Sequence, residues 1–333
     1  MRVFSLALAA WGCLGCEPVG HALVEDVDLL PPVFNGISVT SATTVVARFD
    51  EPVTMAPEAV TVEPDLTVTE VGSGEEVVIT VATPSTAGRS YTLHTTARDE
   101  RGNSTTFVAR FWGFNPRPPG LVINEFTTQG SKKRPDAIEL YVTRDGNLGG
   151  VTVYDGTADS YRDHVVLPAL EVAAGDYLVI HATAHGVGED EHADPDQSDH
   201  ELALPGVWDF WMQEGTGLSG KNGVLTVHAA PGGALLDGVL YSNRTSESDE
   251  RYRGFGSKAT MLRADRLAEL GGWEFAGERI APEDAISSAA TTSTRSLNRD
   301  RAATDTDSAA DWHTVPTRKA SFGAVNSDDV HGE

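Results

Sequence analysis

Leu121-Val122-Ile123-Asn124-Glu125-Phe126 and, after a loop of Lys, Gly and Pro, Ala137-Ile138-Glu139-Leu140-Tyr141-Val142 are short apolar runs of strand length, each bounded by turn formers. Working outward, Gly149-Gly150 leads into Val151-Thr152-Val153-Tyr154-Asp155. His164-Val165-Val166-Leu167-Pro168 and Ala174-Gly175-Asp176-Tyr177-Leu178-Val179-Ile180 follow. Further on stand Gly223-Val224-Leu225-Thr226-Val227 and, past Gly232-Gly233, Leu235 to Tyr241. Strands in series, joined by Gly and Pro turns, predict an antiparallel sandwich. One stretch differs. Met261 to Leu270 carries apolar residues at 261, 264 and 268 and stops at Gly271-Gly272, which predicts a short helix on one side of the sandwich.

Upstream the same grammar repeats from Val33 to Phe114. Ile37 to Thr40, Thr44 to Phe49, Leu66 to Val71, Val77 to Val81, Tyr91 to Thr95 and Thr105 to Phe111 are cut by Asp50-Glu51-Pro52 and Gly72-Ser73-Gly74. Asn115-Pro116-Arg117-Pro118-Pro119-Gly120 separates the two halves, because proline fixes φ and donates no hydrogen bond to a ladder. The predicted organisation is a segment 1–15, a tether 16–30, a first domain 31–114, a linker 115–120, a second domain 121–326 and a tail 327–333.

The first sixteen residues bear one positive charge, Arg2, and a mostly apolar run from Val3 to Leu14, then Gly15-Cys16. A spanning helix needs roughly 20 apolar residues. The run is shorter, and predicts an export signal. It resembles the signal of a bacterial lipoprotein, which implies lipid on Cys16. Both cysteines of the chain lie here, at 13 and 16. The exported body therefore holds no internal disulfide and no thiolate zinc ligand. Glu17 after the lipid cysteine points to the outer membrane, with secretion or a periplasmic location as the alternative.

The formal net charge is −24 over 333 residues. Nucleic-acid binding runs on Lys and Arg neutralising phosphates, so it is disfavoured. Lys132-Lys133-Arg134 is the densest basic group and reads as a solvated hairpin loop, with a local patch as the alternative.

Phe49-Asp50-Glu51-Pro52-Val53 together with Tyr91-Thr92-Leu93 and Asp99-Glu100-Arg101-Gly102-Asn103 resembles a bacterial Ig-like domain of surface-layer proteins, which implies a spacer. Ile123-Asn124-Glu125, Ile138-Glu139-Leu140-Tyr141, Ser296-Leu297, Asp311-Trp312 and Gly323-Ala324-Val325-Asn326, in that order, resemble a lamin tail domain, which implies an Ig-like sandwich over about 119 to 326. Ala137 and Val142 stand where that family often has Trp and Asn. The expected fold is all-β: two Ig-like antiparallel β-sandwich domains in tandem, with a short helical insertion in the second.

Two acidic stretches are candidate calcium sites, since hard cations want several oxygens close together. Asp194, Asp196 and Asp199 lie in the stretch from His181 to Glu201, and Asp305, Asp307 and Asp311 lie near the C-terminus. An acidic insertion between strands and an Asx turn are the plainer readings. His181 and His185 are zinc ligands only if their segment is helical. Glu125 and Glu139 are expected to make structural hydrogen bonds rather than acid–base catalysis. Trp208, Phe210 and Trp211 are expected in the core, with stacking on a sugar or partner as the alternative. Hydrolase and nucleotide motifs, such as His-Glu-x-x-His or a phosphate loop, do not occur. The expectation is a non-catalytic envelope lipoprotein that binds a protein or glycan partner, calcium being the candidate cofactor and the lipid anchor its tie to the membrane. The alternatives are a metal-dependent secreted hydrolase using residues 181–201 and a purely structural envelope protein.

Overall fold

The computed structural model describes residues 28–184 and 201–332. Cys16, Asp194, Asp196 and Asp199 lie outside the described residues. No helix among those described is long and apolar enough to cross a membrane.

The first domain is built of β1 (Phe34–Ser41), β2 (Thr44–Met55), β3 (Thr61–Glu63), β4 (Val68–Val71), β5 (Ser73–Val81), β6 (Ser90–Arg98) and β7 (Ser104–Trp112). β2 is the strand that joins β1 and β5 to β6 in one seven-stranded sheet. Its first half pairs with β1 and β5, its register slips between Arg48 and Val53, and Thr54–Met55 then pair with β6. A bulge of this kind bends the strand and increases its twist. The inward residues, including Val45, Ala47, Ile79, Tyr91 and Leu93, close one core. Asp99 seals the last hairpin, its carboxylate accepting from the Asn103 amide at 2.8 Å and the Asn103 side chain at 2.7 Å.

The second domain is a sandwich of two sheets. One orders β12 (Ser160–Val166), β11 (Thr152–Thr157), β16 (Asn222–His228), β17 (Leu235–Ser242) and β18 (Ile286–Ser287). The other orders β15 (Trp208–Trp211), β14 (Tyr177–His181), β9 (Ala137–Arg144), β8 (Gly120–Phe126), β19 (Leu297–Arg299) and β20 (Trp312–Thr314). β10 (Gly146–Asn147) and β13 (Glu171–Val172) form a small separate ladder. Between the sheets lies the core of Ile123, Phe126, Leu140, Leu178, Val227 and Leu240, among others.

Two pairings depart from the expected antiparallel rule: β14 with β15 and β17 with β18 are parallel. A parallel neighbour cannot follow through a tight hairpin and needs a long connection. The connections here run from 182 to 207 and from 243 to 285.

The helix α1 (Lys258–Glu269) starts a turn before the predicted Met261, because Ser257 caps it by accepting from the Thr260 amide at 3.1 Å. It buries Ala264 and Leu267 and packs on β16 and β11. β16 is thereby covered on both faces and every residue of it is buried. β8 is buried in the same way from Leu121 to Phe126, and its second cover is the C-terminal segment.

The domains meet through the Asn115 side chain and a close backbone approach at Gly88. Asn115 donates to the carbonyls of Asn147 and Gly149, at 2.7 and 2.9 Å. A Cβ on Gly88 would stand 2.8 Å from the Gly150 nitrogen, so only glycine allows that approach.

Candidate functional site

The Glu125 and Glu139 side chains decide what covers the outer face of β8 and β9. The two residues are cross-strand partners, and both are fully buried. Glu125 accepts from the Ser321 amide at 3.0 and 2.9 Å and from the Ser321 hydroxyl at 2.8 Å. Glu139 accepts from the Gly323 amide at 2.5 Å and from Asn124 Nδ2 at 2.8 Å. Asn326 Nδ2 donates to the carbonyls of Asn124 and Arg299, at 3.0 and 3.1 Å. These residues clamp the segment from Ser321 to Asn326 onto the sheet. Burial pushes Glu125 up to about 7 and Glu139 well above the usual carboxylate range, the Glu125 charge adding to the latter. Groups so tied to backbone amides are fasteners for the chain terminus.

The clamp sets Phe322 beside Leu204 against Ala137 and Val179. These four form the apolar floor of a recess of about 450 Å³. That size is typical of small-ligand sites. Among the described residues three cations surround it. Lys133 and Arg134 come from the β8–β9 loop, where Ser131 and Arg134 exchange backbone hydrogen bonds of 2.7 and 2.9 Å. Asp136 steadies that loop from below, accepting from the Gly130 amide at 2.5 Å and the Leu218 amide at 3.0 Å. Arg318 comes from the other side, its amide donating to the Thr294 carbonyl at 2.7 Å and its φ at +66°. Among the described residues Glu201 is the acidic member of the lining.

His181 forms the back wall at the end of β14. Its Nε2 stands 2.5 Å from Asp209 Oδ1, and the Trp211 ring stacks on it at 5.0 Å. Both His181 and Asp209 are buried. Asp209 Oδ2 accepts from the Leu204 amide at 3.0 Å. The pair therefore ties β14, β15 and the Leu204 strap together. His181 sits on a strand, so the helical spacing that a His181–His185 zinc pair requires is not present at His181.

The C-terminal acidic stretch is organised around a cation that belongs to the chain. Asp305 and Asp307 gather with Asp237, their carboxylate oxygens within 4.8 Å of one another. Arg299, fully buried, reaches the same place. Its Nη1 is 2.9 Å from Asp305 and 3.2 Å from Asp311, and its Nη2 is 3.5 Å from Asp237. The guanidinium lies 4.8 Å over the Trp312 ring. Asp311 is further occupied by the Thr306 amide and hydroxyl, both at 2.7 Å. Arg299 supplies a positive charge to this acidic group.

Of Trp208, Phe210 and Trp211, the first two belong to the core as expected and Trp211 does not. As β15 they alternate: Trp208 and Phe210 face the core, Phe210 buried in it and Trp208 half-buried against it, while Trp211 lies on the other face, half-buried and stacked on His181. The residues that sequence reasoning passed over are Arg318, Phe322 and Arg299. The period-two reading of 208–211 was available; the convergence of residues 133, 181, 204 and 322 was not.

A family model described as the TP_1001 protein second domain matches residues 119–314. The chain belongs to this family. In the TP_1001 second-domain family match lie β8 to β20, the Arg299 cluster and the back wall of the recess; the segment from Ser321 to Asn326 follows it. The chain is also 28% identical over 189 residues to an uncharacterized protein of Treponema pallidum (strain Nichols), covering 56% of this chain and 48% of that protein. It thus spans about half the length of that relative. Among solved structures, it is similar to a DUF4876 family protein from Bacteroides thetaiotaomicron VPI-5482, at 14% identity and a TM-score of 0.34, over 82% of this chain and 96% of that one. It is also similar to the N-terminal part of the bacterial S-layer protein SbsC, at 15% identity and a TM-score of 0.25, over 60% and 40%.

Proposed function

We propose that the chain is a non-catalytic binding module of the bacterial cell envelope, whose second domain takes a carboxylate carried on an apolar body, presented by a glycan or protein partner. In this reading lipid on Cys16 holds the chain at the outer membrane. The Ig-like first domain is a spacer, and the second is a lamin-tail-like sandwich.

The observation that supports it is the recess beneath Phe322. In a chain of net charge −24, three cations against Glu201 surround this apolar-floored cavity among the described residues. Arginine and lysine at a concave surface attract and orient carboxylates. The apolar floor adds contact with a sugar face or an aliphatic side chain. The back wall is fastened by hydrogen bonds, so the site is formed before the ligand arrives. Recognition runs through side-chain cations and is expected to survive chelation.

The test is retention of the chain from residue 17 onward on immobilised polygalacturonate and on immobilised polyglutamate, with chelator present. The protein as a whole is acidic, so general ion exchange repels it from both. The expected result is retention on one matrix and elution by salt. The Arg134→Glu/Arg318→Glu variant is expected to pass through with its melting temperature unchanged, because both side chains are exposed. Passage of the unaltered protein through both columns would contradict the reading, and so would equal retention of the variant.

A further inference from the structure

The recess beneath Phe322 holds one charge that a carboxylate ligand does not use. Glu201 stands in the same lining as Lys133, Arg134 and Arg318. Among the described residues none of these four side chains enters an ion pair. All four are exposed at the mouth of the cavity. Unlike charges that share a cavity without meeting are held apart by the fold.

The sheet order shows how they are held apart. The recess lies over Val179 on β14, Ala137 on β9 and Thr127 just after β8. These strands are neighbours, with β15 flanking β14 and β19 flanking β8. The strap from Glu201 to Leu204 is fastened on the β15 side, where the Leu204 amide donates to Asp209 Oδ2 at 3.0 Å. Arg318 is fastened on the β19 side, where its amide donates to the carbonyl of Thr294, just before β19, at 2.7 Å. The acid and this arginine therefore rise from opposite flanks of the β14–β9–β8 floor. At the ordinary strand spacing that floor is about 10–15 Å across. Both side chains reach inward and shorten the gap. What remains suits a ligand whose two charges are separated by a stem, not one that carries both on neighbouring atoms.

The surface beneath the gap is apolar, built of Ala137, Val179, Leu204 and Phe322. A methylene stem can lie on it while its charged end stays at the polar rim. Lysine has a four-carbon stem that ends in a compact ammonium. At the end of a polypeptide it also carries a free carboxylate. The net charge of −24 attracts a partner with such a basic tail.

We propose that the recess takes the C-terminal lysine of a partner protein, its carboxylate on the cations, its stem along Phe322 and Leu204, and its ammonium on Glu201. This rests on the carboxylate reading above and narrows it. An internal lysine offers no carboxylate, and a C-terminal leucine offers no ammonium, so each leaves one end of the site unmatched.

Calorimetric titration of the chain from residue 17 onward with 6-aminohexanoate, hexanoate and galacturonate at matched ionic strength tests this. The first carries a carboxylate and an ammonium at the two ends of a lysine-like stem. It is expected to bind saturably at one site, roughly fivefold tighter than hexanoate, the worth of a partly exposed ion pair. Glu201→Gln is expected to weaken 6-aminohexanoate and to leave hexanoate as tight or tighter, opposite signs that a merely structural role would not produce. Glu201 is exposed, so the melting temperature of that variant is expected to be unchanged. A peptide ending in lysine is expected to displace 6-aminohexanoate, and the same peptide with an amidated terminus is not. Equal affinity for 6-aminohexanoate and hexanoate, no effect of Glu201→Gln, or equal displacement by the amidated peptide would overturn the lysine assignment and leave the carboxylate reading standing. Binding of galacturonate alone would also overturn it, in favour of a glycan. Failure of all three compounds to bind would overturn both.

Discussion

Arg299→Met is expected to lower the unfolding free energy by about 3–5 kcal/mol, the usual cost of removing one partner from a buried charge pair. The reason lies in what Arg299 holds. Its Nε donates to the Ile123 carbonyl at 2.8 Å and its Nη1 to the Thr304 carbonyl at 2.9 Å. It also faces Asp237, Asp305 and Asp311. Ile123 and Arg299 stand in one sheet and Asp237 in the other, so the guanidinium ties the two layers together at their acidic end. Methionine fills the volume of the stem but leaves Asp237 and Asp311 buried with no cation. Arg299→Lys keeps the charge and loses the planar fork, and is expected to recover part of the loss. Adding Asp237→Asn to Arg299→Met is expected to recover another part, because the orphaned carboxylate is then gone. Urea unfolding of the four proteins measures this. A loss below about 1 kcal/mol for Arg299→Met would mean that the acidic end is not organised by this side chain.

The second large effect is a loss of stability as pH rises from about 5 to 8. Burial raises Glu125 to about 7, Asp237 to about 7 against the pull of Arg299, and Asp155 to about 6. Glu139 is raised well above 4.5 and Asp136 is raised as well. For each, the folded state holds its proton more tightly than the unfolded chain. The favourable contribution is therefore complete below the unfolded value and is lost as pH climbs through the folded one. For Glu125 the interval from 4.5 to about 7 is worth about 3 kcal/mol. His164 and His228 are pushed down by burial from 6.5, so they oppose this trend as pH falls below 6.5. The carboxylates outnumber them and are more deeply buried. Asp300 and Glu283 are lowered by hydrogen bonds from Thr304 and Ser246, so their contribution disappears only in stronger acid. The melting temperature is expected to peak in weak acid and to be several degrees lower at pH 8. The Ser321 and Gly323 amides, which donate to Glu125 and Glu139, are expected to lose hydrogen-exchange protection first. Glu125→Gln should flatten the dependence. A melting temperature that holds or rises between pH 5 and 8 would contradict it.

The all-β architecture was legible because its signal is local. Ile123 to Phe126, Ile138 to Val142 and Leu235 to Tyr241 carry strand-forming residues between turn formers, and the strands appear there. The start of α1 was readable in principle from Ser257, a capping residue one turn ahead of the apolar period. The parallel placement of 208–211 was not readable, since nothing in Trp208-Asp209-Phe210-Trp211 names β14 as its neighbour. The site was harder still. Glu125 meets Ser321 across 196 positions, and Arg299 meets Ile123 across 176. A pattern of spacing along the chain carries no information about such meetings. For the same reason Lys133 read as a solvated loop residue, and only the approach of Arg318 and Phe322 makes it one side of a cavity.

The proposed binding function rests on the recess beneath Phe322, and a two-dimensional amide NMR titration of the chain from residue 17 onward with galacturonate, against galactose as the neutral control, tests it most directly. The predicted result is a saturable shift of the Ala137, His181, Leu204 and Phe322 amides with galacturonate alone, lost in Arg134→Glu/Arg318→Glu. If galacturonate moves none of these amides, or moves them equally in the charge-reversed protein, the recess is not a carboxylate site and the proposed binding function fails.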